Sequence, residues 1–176
     1  KYRLQELTEQ TLEKLYQLSS SHDMVHIVAN ALQKLGVPDT QGILSKFSRQ
    51  QMIAVFRGER ISHELSTLAK TLEAGEIPFI PLKGSVIRAF YPEAWMRTSC
   101  DIDILIRPEQ YDKIQEILRS MNFEFGTDSD HEYIWHTKTL LVELHKLLIP
   151  SYNKDYYDYY GDGWGKALQQ QGHCYA

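Results

Sequence analysis

The sequence predicts an α+β protein: a helical N-terminal segment, then a mixed β-sheet with flanking helices. Apolar residues recur every three or four positions as far as Ala74, and from Ile77 onward they gather into short runs separated by turn residues. The later elements follow the order βαβαβββ, which gives a mixed sheet.

Leu4, Leu7, Leu12, Leu15 and Leu18 fall roughly at helical spacing. A second helix is expected from His22 to Leu35, with Val25, Val28, Ala29 and Leu32 on one side and Gly36-Val37-Pro38 as its stop. A longer helix, about Arg49 to Ala74, has Met52, Val55, Phe56, Ile61, Leu65, Leu68 and Leu72 as its apolar positions and Gly75 as its closing residue. Pro78 to Leu82 reads as a short strand entering Lys83-Gly84-Ser85, and Val86 to Tyr91 as a short helix ended by Pro92. Asp101 to Ile106 is an isoleucine-rich strand, and Pro108 opens a helix with Tyr111, Ile114, Leu118 and Met121 on one face. Phe123 to Phe125, His131 to Thr137 and Leu140 to Leu147 read as strands, the last two forming a hairpin around Lys138-Thr139. Beyond Pro150, tyrosines alternate with Asp155, Asp158 and Asp162, a pattern that suits an ordered aromatic loop or a linker.

Composition narrows the function classes. The chain has 176 residues, 43% hydrophobic and 24% charged, with a net charge of −4, which fits a globular domain and excludes disorder. No apolar run approaches the roughly 18 residues that span a bilayer, and no leader pattern is visible, so a cytoplasmic protein without membrane partners is expected. The acidic balance gives no strong signal for duplex nucleic acid. Cys100 and Cys174 are too few and too distant for a disulfide framework or a CxxC zinc site. His22 and His26 have i, i+4 spacing but no evident third ligand. The start at Lys1 and the end at Gln171 to Ala176 suggest a fragment.

Asp101 and Asp103 carry the chemistry. Two carboxylates two apart on a strand share a face, with Ile102 and Ile104 on the other. Their charges repel unless a cation lies between them, and Mg²⁺, a hard ion commonly shared with substrate phosphates, solves that problem. Taken alone, the pair also suits a solvated strand face. Glu143 shares a face of its strand with Leu141 and His145, opposite Leu140, Val142 and Leu144. If that strand lies beside the Asp101 strand, three carboxylates converge and a two-metal site is buildable. His145 reads as a partly buried histidine hydrogen-bonded to its neighbours. Upstream, Lys83-Gly84-Ser85 stands at a strand end just before a helix, where backbone N–H groups and a hydroxyl can meet a phosphate or simply cap a turn.

Gly84-Ser85, then Asp101-Ile102-Asp103 and a later strand acid, resembles the signature of the nucleotidyltransferase superfamily with the DNA polymerase beta-like fold. The longer string Pro81-Leu82-Lys83-Gly84-Ser85, Tyr91-Pro92, Arg97, Asp101 to Ile106 and Val142-Glu143-Leu144-His145 resembles, more narrowly, the uncharacterised bacterial nucleotidyltransferase-like proteins. The resemblance covers about Ile77 to Leu148. It implies a nucleotidyltransferase-like mixed sheet and transfer of a nucleoside monophosphate from a nucleoside triphosphate to a hydroxyl acceptor, with release of pyrophosphate. Asp101, Asp103 and Glu143 would be catalytic and hold Mg²⁺, one ion or two, with Mn²⁺ as a substitute. Lys83, Gly84, Ser85 and Arg97 would bind the nucleotide, ATP among the candidates. Fifteen residues separate Ser85 from Asp101, a longer step than in many superfamily members, so the acceptor, whether small molecule, RNA or protein, is not carried over. Two other classes stay open: an Asp-x-Asp phosphohydrolase or glycosyltransferase, and a non-catalytic nucleotide- or protein-binding module. The expected organisation is a helical segment over 1–75, a catalytic core over 76–149, and a tyrosine-rich linker or the start of a truncated helical region over 150–176.

Overall fold

The computed structural model describes residues 7–39 and 42–166; Leu4, Cys174 and the closing residues Gln171 to Ala176 lie outside these. The chain divides into two compact units, Lys1–Glu59 with Pro92–Thr98, and Arg60–Tyr91 with Ser99–Ala176. The long third helix contributes to both.

In the first unit, α1 (Glu9–Ser21) starts at Thr8, whose side-chain oxygen accepts the Thr11 backbone N–H at 3.2 Å. Its Leu12 packs with Val25, Ala29 and Leu32 of α2 (Val25–Lys34) and with Ile43 and Phe47 at the start of α3 (Ile43–Ala74). Tyr16 meets the Phe47 ring edge-on at 5.1 Å between centroids. The third helix therefore begins six residues before Arg49, because Phe47 supplies a core contact that the apolar pattern starting at Met52 missed. Met52 and Phe56 are exposed. The buried positions there are Ala54 and Gly58, and Trp95 comes so close that a Cβ on Gly58 would lie 3.0 Å from its Cα.

The second unit holds a five-stranded mixed sheet in the order β1-β2-β5-β4-β3, with β1 Phe79–Pro81, β2 Asp101–Ile106, β3 Glu124–Asp128, β4 Glu132–His136 and β5 Leu141–His145. Only the β2–β5 pair is parallel. A short α4 (Gly84–Ile87), continued by a 3₁₀ turn to Phe90, links β1 to β2, and α5 (Tyr111–Ser120) follows the 3₁₀ turn Pro108–Gln110. One face of the sheet presents Ile102, Ile104, Ile106, Val142, Leu144 and Trp135 to Ile61, Leu65, Leu68 and Leu72 of α3 and to Ile114 and Leu118 of α5. Full burial of each such side chain contributes about 1.5–3 kcal/mol, so the sheet is anchored through this face. The acids of β2 and β5 fall on the other.

Helix ends are set by residues in the left-handed region. The backbone N–H of Ile77 reaches the Leu72 carbonyl at 2.9 Å and that of Glu76 the Glu73 carbonyl at 3.0 Å, with Glu76 at φ 54°. The turn that closes α3 is thus made by Glu76, not by Gly75. Asn122 closes α5 in the same way, at φ 63°.

The tyrosine-rich stretch, for which a loop, a linker or the start of a helical region was expected, forms α6 (Lys154–Tyr160). The chain then reaches the sheet at Gly163, where φ is 89° and a Cβ would lie 2.9 Å from Leu148 and 3.0 Å from Leu105, so glycine alone fits. Trp164 stacks under the Arg107 guanidinium at 4.3 Å. Among the described residues no helix is long and apolar enough to cross a membrane.

Candidate active site

Sheet register builds the site. Asp103 of β2 stands directly opposite Glu143 of the parallel strand β5, and one pleat further along Leu105, His145 and Glu132 line up across β2, β5 and β4. In-register neighbours project to the same face, so Asp103, Glu143 and His145 converge. One ligand atom from each lies within 4.8 Å of the others, and among the described residues this is the one group of three or more His, Cys, Asp or Glu side chains so placed. His22 and His26 belong to no such group; His26 is buried, with Nε2 3.2 Å from the Met96 carbonyl.

Asp103 is the centre. Its side chain is 1% exposed, and Oδ1 accepts a hydrogen bond from Lys83 Nζ at 2.9 Å and lies 3.1 Å from His145 Nε2. Burial drives its pKa up, but hydrogen bonds with His145 and Lys83 and the lysine charge outweigh burial and hold the carboxyl below its ordinary value. Glu143 goes the other way. Burial, a hydrogen bond with Asp103 and the nearby charges of Glu132 and Asp103 push it above the usual glutamate range, against the Lys83 charge. Lys83 loses something to burial, yet the acids around it raise its pKa on balance.

The turn before α4 is laced to β2 at this residue. The Leu82 N–H donates to the Asp103 carbonyl at 2.9 Å, and the Asp103 N–H donates to Ser85 Oγ at 3.2 Å. Ser85 Oγ is thus an acceptor here, and among the described residues no bond is formed by its hydroxyl hydrogen. Lys83 occupies φ 43°, ψ −118°, a conformation that costs a non-glycine residue about 1–3 kcal/mol and persists where neighbours enforce it. Gly84 is buried behind it. Arg88, also buried, donates from Nη2 to Ser99 Oγ at 2.6 Å and ties down the chain entering β2.

Four residues named from the sequence, Lys83, Ser85, Asp103 and Glu143, are therefore joined by contacts, with Gly84 in the same turn. Asp101 shares the strand face of Asp103 one pleat back, paired in register with Leu141, and lies outside the three-residue group. Arg97 caps the 3₁₀ turn Ala94–Met96 and belongs to the first unit. Two participants were not named as site residues. His145 is buried and completes the group. Glu132, whose Oε2 faces His145 Nδ1 at 3.4 Å, depends on the β4–β5 register, for which an alternating strand pattern was the available signal.

The donor set of two carboxylates and an imidazole fits a divalent cation by ligand type, and the positive charge that a buried carboxylate beside a second acid needs is supplied here by Lys83. Fold and site together define an α+β protein with a mixed sheet, one face of which gathers a group of two acids and a histidine that could hold a metal ion. The chain belongs to the family described as uncharacterised nucleotidyltransferase, whose model matches residues 8–175. Among solved structures, the solution structure of the antibiotic-resistance factor ANT(2'')-Ia aligns over 51% of this chain and 48% of its own, at 13% identity and a TM-score of 0.46. The crystal structure of ANT(2'')-Ia in complex with adenylyl-2''-tobramycin aligns over 49% of each chain, at 14% identity and a TM-score of 0.44. The aligned part is about half of either protein. Among curated proteins none matches.

Proposed function

We propose that the chain transfers a nucleoside monophosphate from a nucleoside triphosphate, ATP among the candidates, to a hydroxyl acceptor, and that Asp103 and Glu143 hold the divalent cation this requires. The observation that carries the reading is the buried Asp103 set in register beside Glu143 and tied through its own backbone to the Lys83-Gly84-Ser85 turn, in a chain of nucleotidyltransferase family. Asp101, on the same strand face, is the further carboxylate for a second ion. When bound, Mg²⁺ or Mn²⁺ supplies charge neutralisation at the phosphates.

The protein's own groups then have distinct tasks. Gly84 and Ser85 receive the β- and γ-phosphates, with the Gly84 N–H and the serine hydroxyl hydrogen as donors while the Ser85 N–H stays on the Leu82 carbonyl, and Lys83 adds a cationic donor. Glu143, beside the cation, also takes the proton from the acceptor hydroxyl. The acceptor oxygen attacks the α-phosphorus, its bond to the bridging oxygen breaks, and pyrophosphate leaves. Fixed positions of donors and acids account for most of the acceleration. The core over 76–149 carries this machinery, and a triphosphate-consuming enzyme of this kind works in the cytoplasm.

Incubating the protein with each α-labelled nucleoside triphosphate, Mg²⁺ or Mn²⁺ and pools of small-molecule, RNA and protein acceptors tests the proposal. Label transferred by the wild type and lost in Asp103→Asn is the expected result. Triphosphate binding with no transfer to any pool favours a binding module, and undiminished transfer by Asp103→Asn removes the assigned site.

A further inference from the structure

The Lys83 ammonium touches every member of the three-residue group. Nζ lies 2.9 Å from Asp103 Oδ1, 3.3 Å from His145 Nε2 and 3.6 Å from Glu143 Oε2. Those same three atoms also face one another, His145 Nε2 being 3.1 Å from Asp103 Oδ1 and 3.6 Å from Glu143 Oε2. A divalent ion held by the group would draw on the same three atoms that the ammonium now approaches.

An ammonium and a divalent ion compete for these atoms. The ammonium takes one lone pair of Asp103 Oδ1 and stands between the three groups, and a dication drawn in beside it would repel it at close range. The lysine is nevertheless able to leave. Its side chain is 56% exposed, against 1% for Asp103 and 17% for Glu143, so the flexible stem can carry the charge to solvent while the acids stay in place. The backbone that launches it is fixed. Leu82 and Ser85 bond the β2 backbone at Asp103 on either side of Lys83, and the Ile87 N–H donates to the Lys83 carbonyl at 2.9 Å.

Resting on the divalent-cation assignment above, we propose that Lys83 is a built-in cation that holds the Asp103–Glu143–His145 site when no metal is bound and must be displaced for a metal to enter. Removing the Asp103 partner without replacement would leave a buried carboxylate beside a second acid, and the lysine prevents that state in the metal-free protein. Displacement also gives the ammonium a second use. It swings out from the turn that carries Gly84 and Ser85, where an arriving triphosphate offers it new oxygens, so metal entry and nucleotide capture are linked through one side chain. Lys83 is thus a positioning residue that sets how tightly the metal is held before nucleotide arrives.

Titration of the full chain with Mn²⁺ alone, without nucleotide, followed by the electron paramagnetic resonance signal of free Mn²⁺, tests this. Lys83→Met and Lys83→Gln are both measured, with circular dichroism to establish that each is folded. The expected result is Mn²⁺ bound roughly tenfold or more tightly in either variant than in wild type, with binding lost on adding Asp103→Asn. A dissociation constant unchanged or weakened in both folded variants, while wild-type binding depends on Asp103, overturns the role of Lys83 and leaves the metal assignment standing. Absence of Asp103-dependent Mn²⁺ binding in wild type and variants alike overturns the metal assignment and the inference with it.

Discussion

Asp103 and Glu143 stand opposite each other on adjacent parallel strands, yet their carboxyl groups are driven apart, Asp103 below its ordinary pKa and Glu143 above. The cause is the division of partners. Burial raises both, but Asp103 has Lys83 at 2.9 Å and His145 at 3.1 Å, whereas Glu143 has Lys83 only at 3.6 Å and faces the charges of Glu132 and Asp103. Neighbouring acids separated in this way give up their protons in different pH ranges, Asp103 first.

Glu143 is therefore expected to cost stability in the metal-free protein. Its folded-state pKa is raised, so the native state holds the proton more tightly than the unfolded chain does. Below the ordinary glutamate value of about 4.3 both states are protonated and nothing is lost, whereas stability falls as pH rises from there through the raised native value. Glu143→Gln removes that penalty. Its urea midpoint should exceed that of wild type at pH 7, and the gap should close as pH falls toward 4. An equal gap at both pH values contradicts the assigned cause.

Glu132 is expected to act through His145. With Oε2 3.4 Å from Nδ1, it holds the ring so that Nε2 faces Asp103 and Glu143, and a proton kept on Nδ1 lets Nε2 serve as a ligand once a cation takes the place of its hydrogen bond to Asp103. Glu132→Gln should weaken Mn²⁺ binding about tenfold to a hundredfold, the range for loss of such a carboxylate–histidine pairing, with the melting temperature nearly unchanged. Wild-type Mn²⁺ affinity in the variant would remove Glu132 from the site.

The close of α3 gives a test independent of function. Glu76 sits at φ 54°, which costs a residue bearing a Cβ about 1–2 kcal/mol, while glycine loses about 0.5–1 kcal/mol more chain entropy on folding. Glu76→Gly should therefore raise unfolding stability by about 0.5–1 kcal/mol in denaturant titration. A loss of stability would show that the Glu76 side chain makes a compensating contribution.

Several of these features were legible in the residues. The shift from helical period to short β-rich runs at Ile77 marked the start of the sheet, and Asp103 and Glu143 could be paired on the condition that their strands adjoin, as they do. What sequence spacing leaves open is register. Whether Glu132 or a neighbour meets His145 depends on how β4 pairs with β5, and a slip of one residue would turn Glu132 to the other face. The α3 face was misread at Met52 and Phe56 because hydrophobicity favours large side chains, whereas the buried positions there are the small Ala54 and Gly58, and Gly58 leaves room for Trp95. Over 154–160 Tyr156, Tyr157, Tyr159 and Tyr160 do stand three and four apart, but the run is only seven residues long and α6 buries none of them, so the spacing alone was too short a signal for a helix. His145 looked like an ordinary half-buried histidine because its partners are supplied by three other segments.

The central claim is that a divalent cation held at Asp103 and Glu143 binds a nucleoside triphosphate. Calorimetric titration with a non-hydrolysable α,β-linked triphosphate analogue, with and without Mn²⁺, in wild type and in Asp103→Asn, tests it without knowledge of the acceptor. The account predicts binding that requires Mn²⁺ in the wild type and weakens at least tenfold in the variant. Equal affinity with and without Mn²⁺, or equal affinity in wild type and Asp103→Asn, contradicts it.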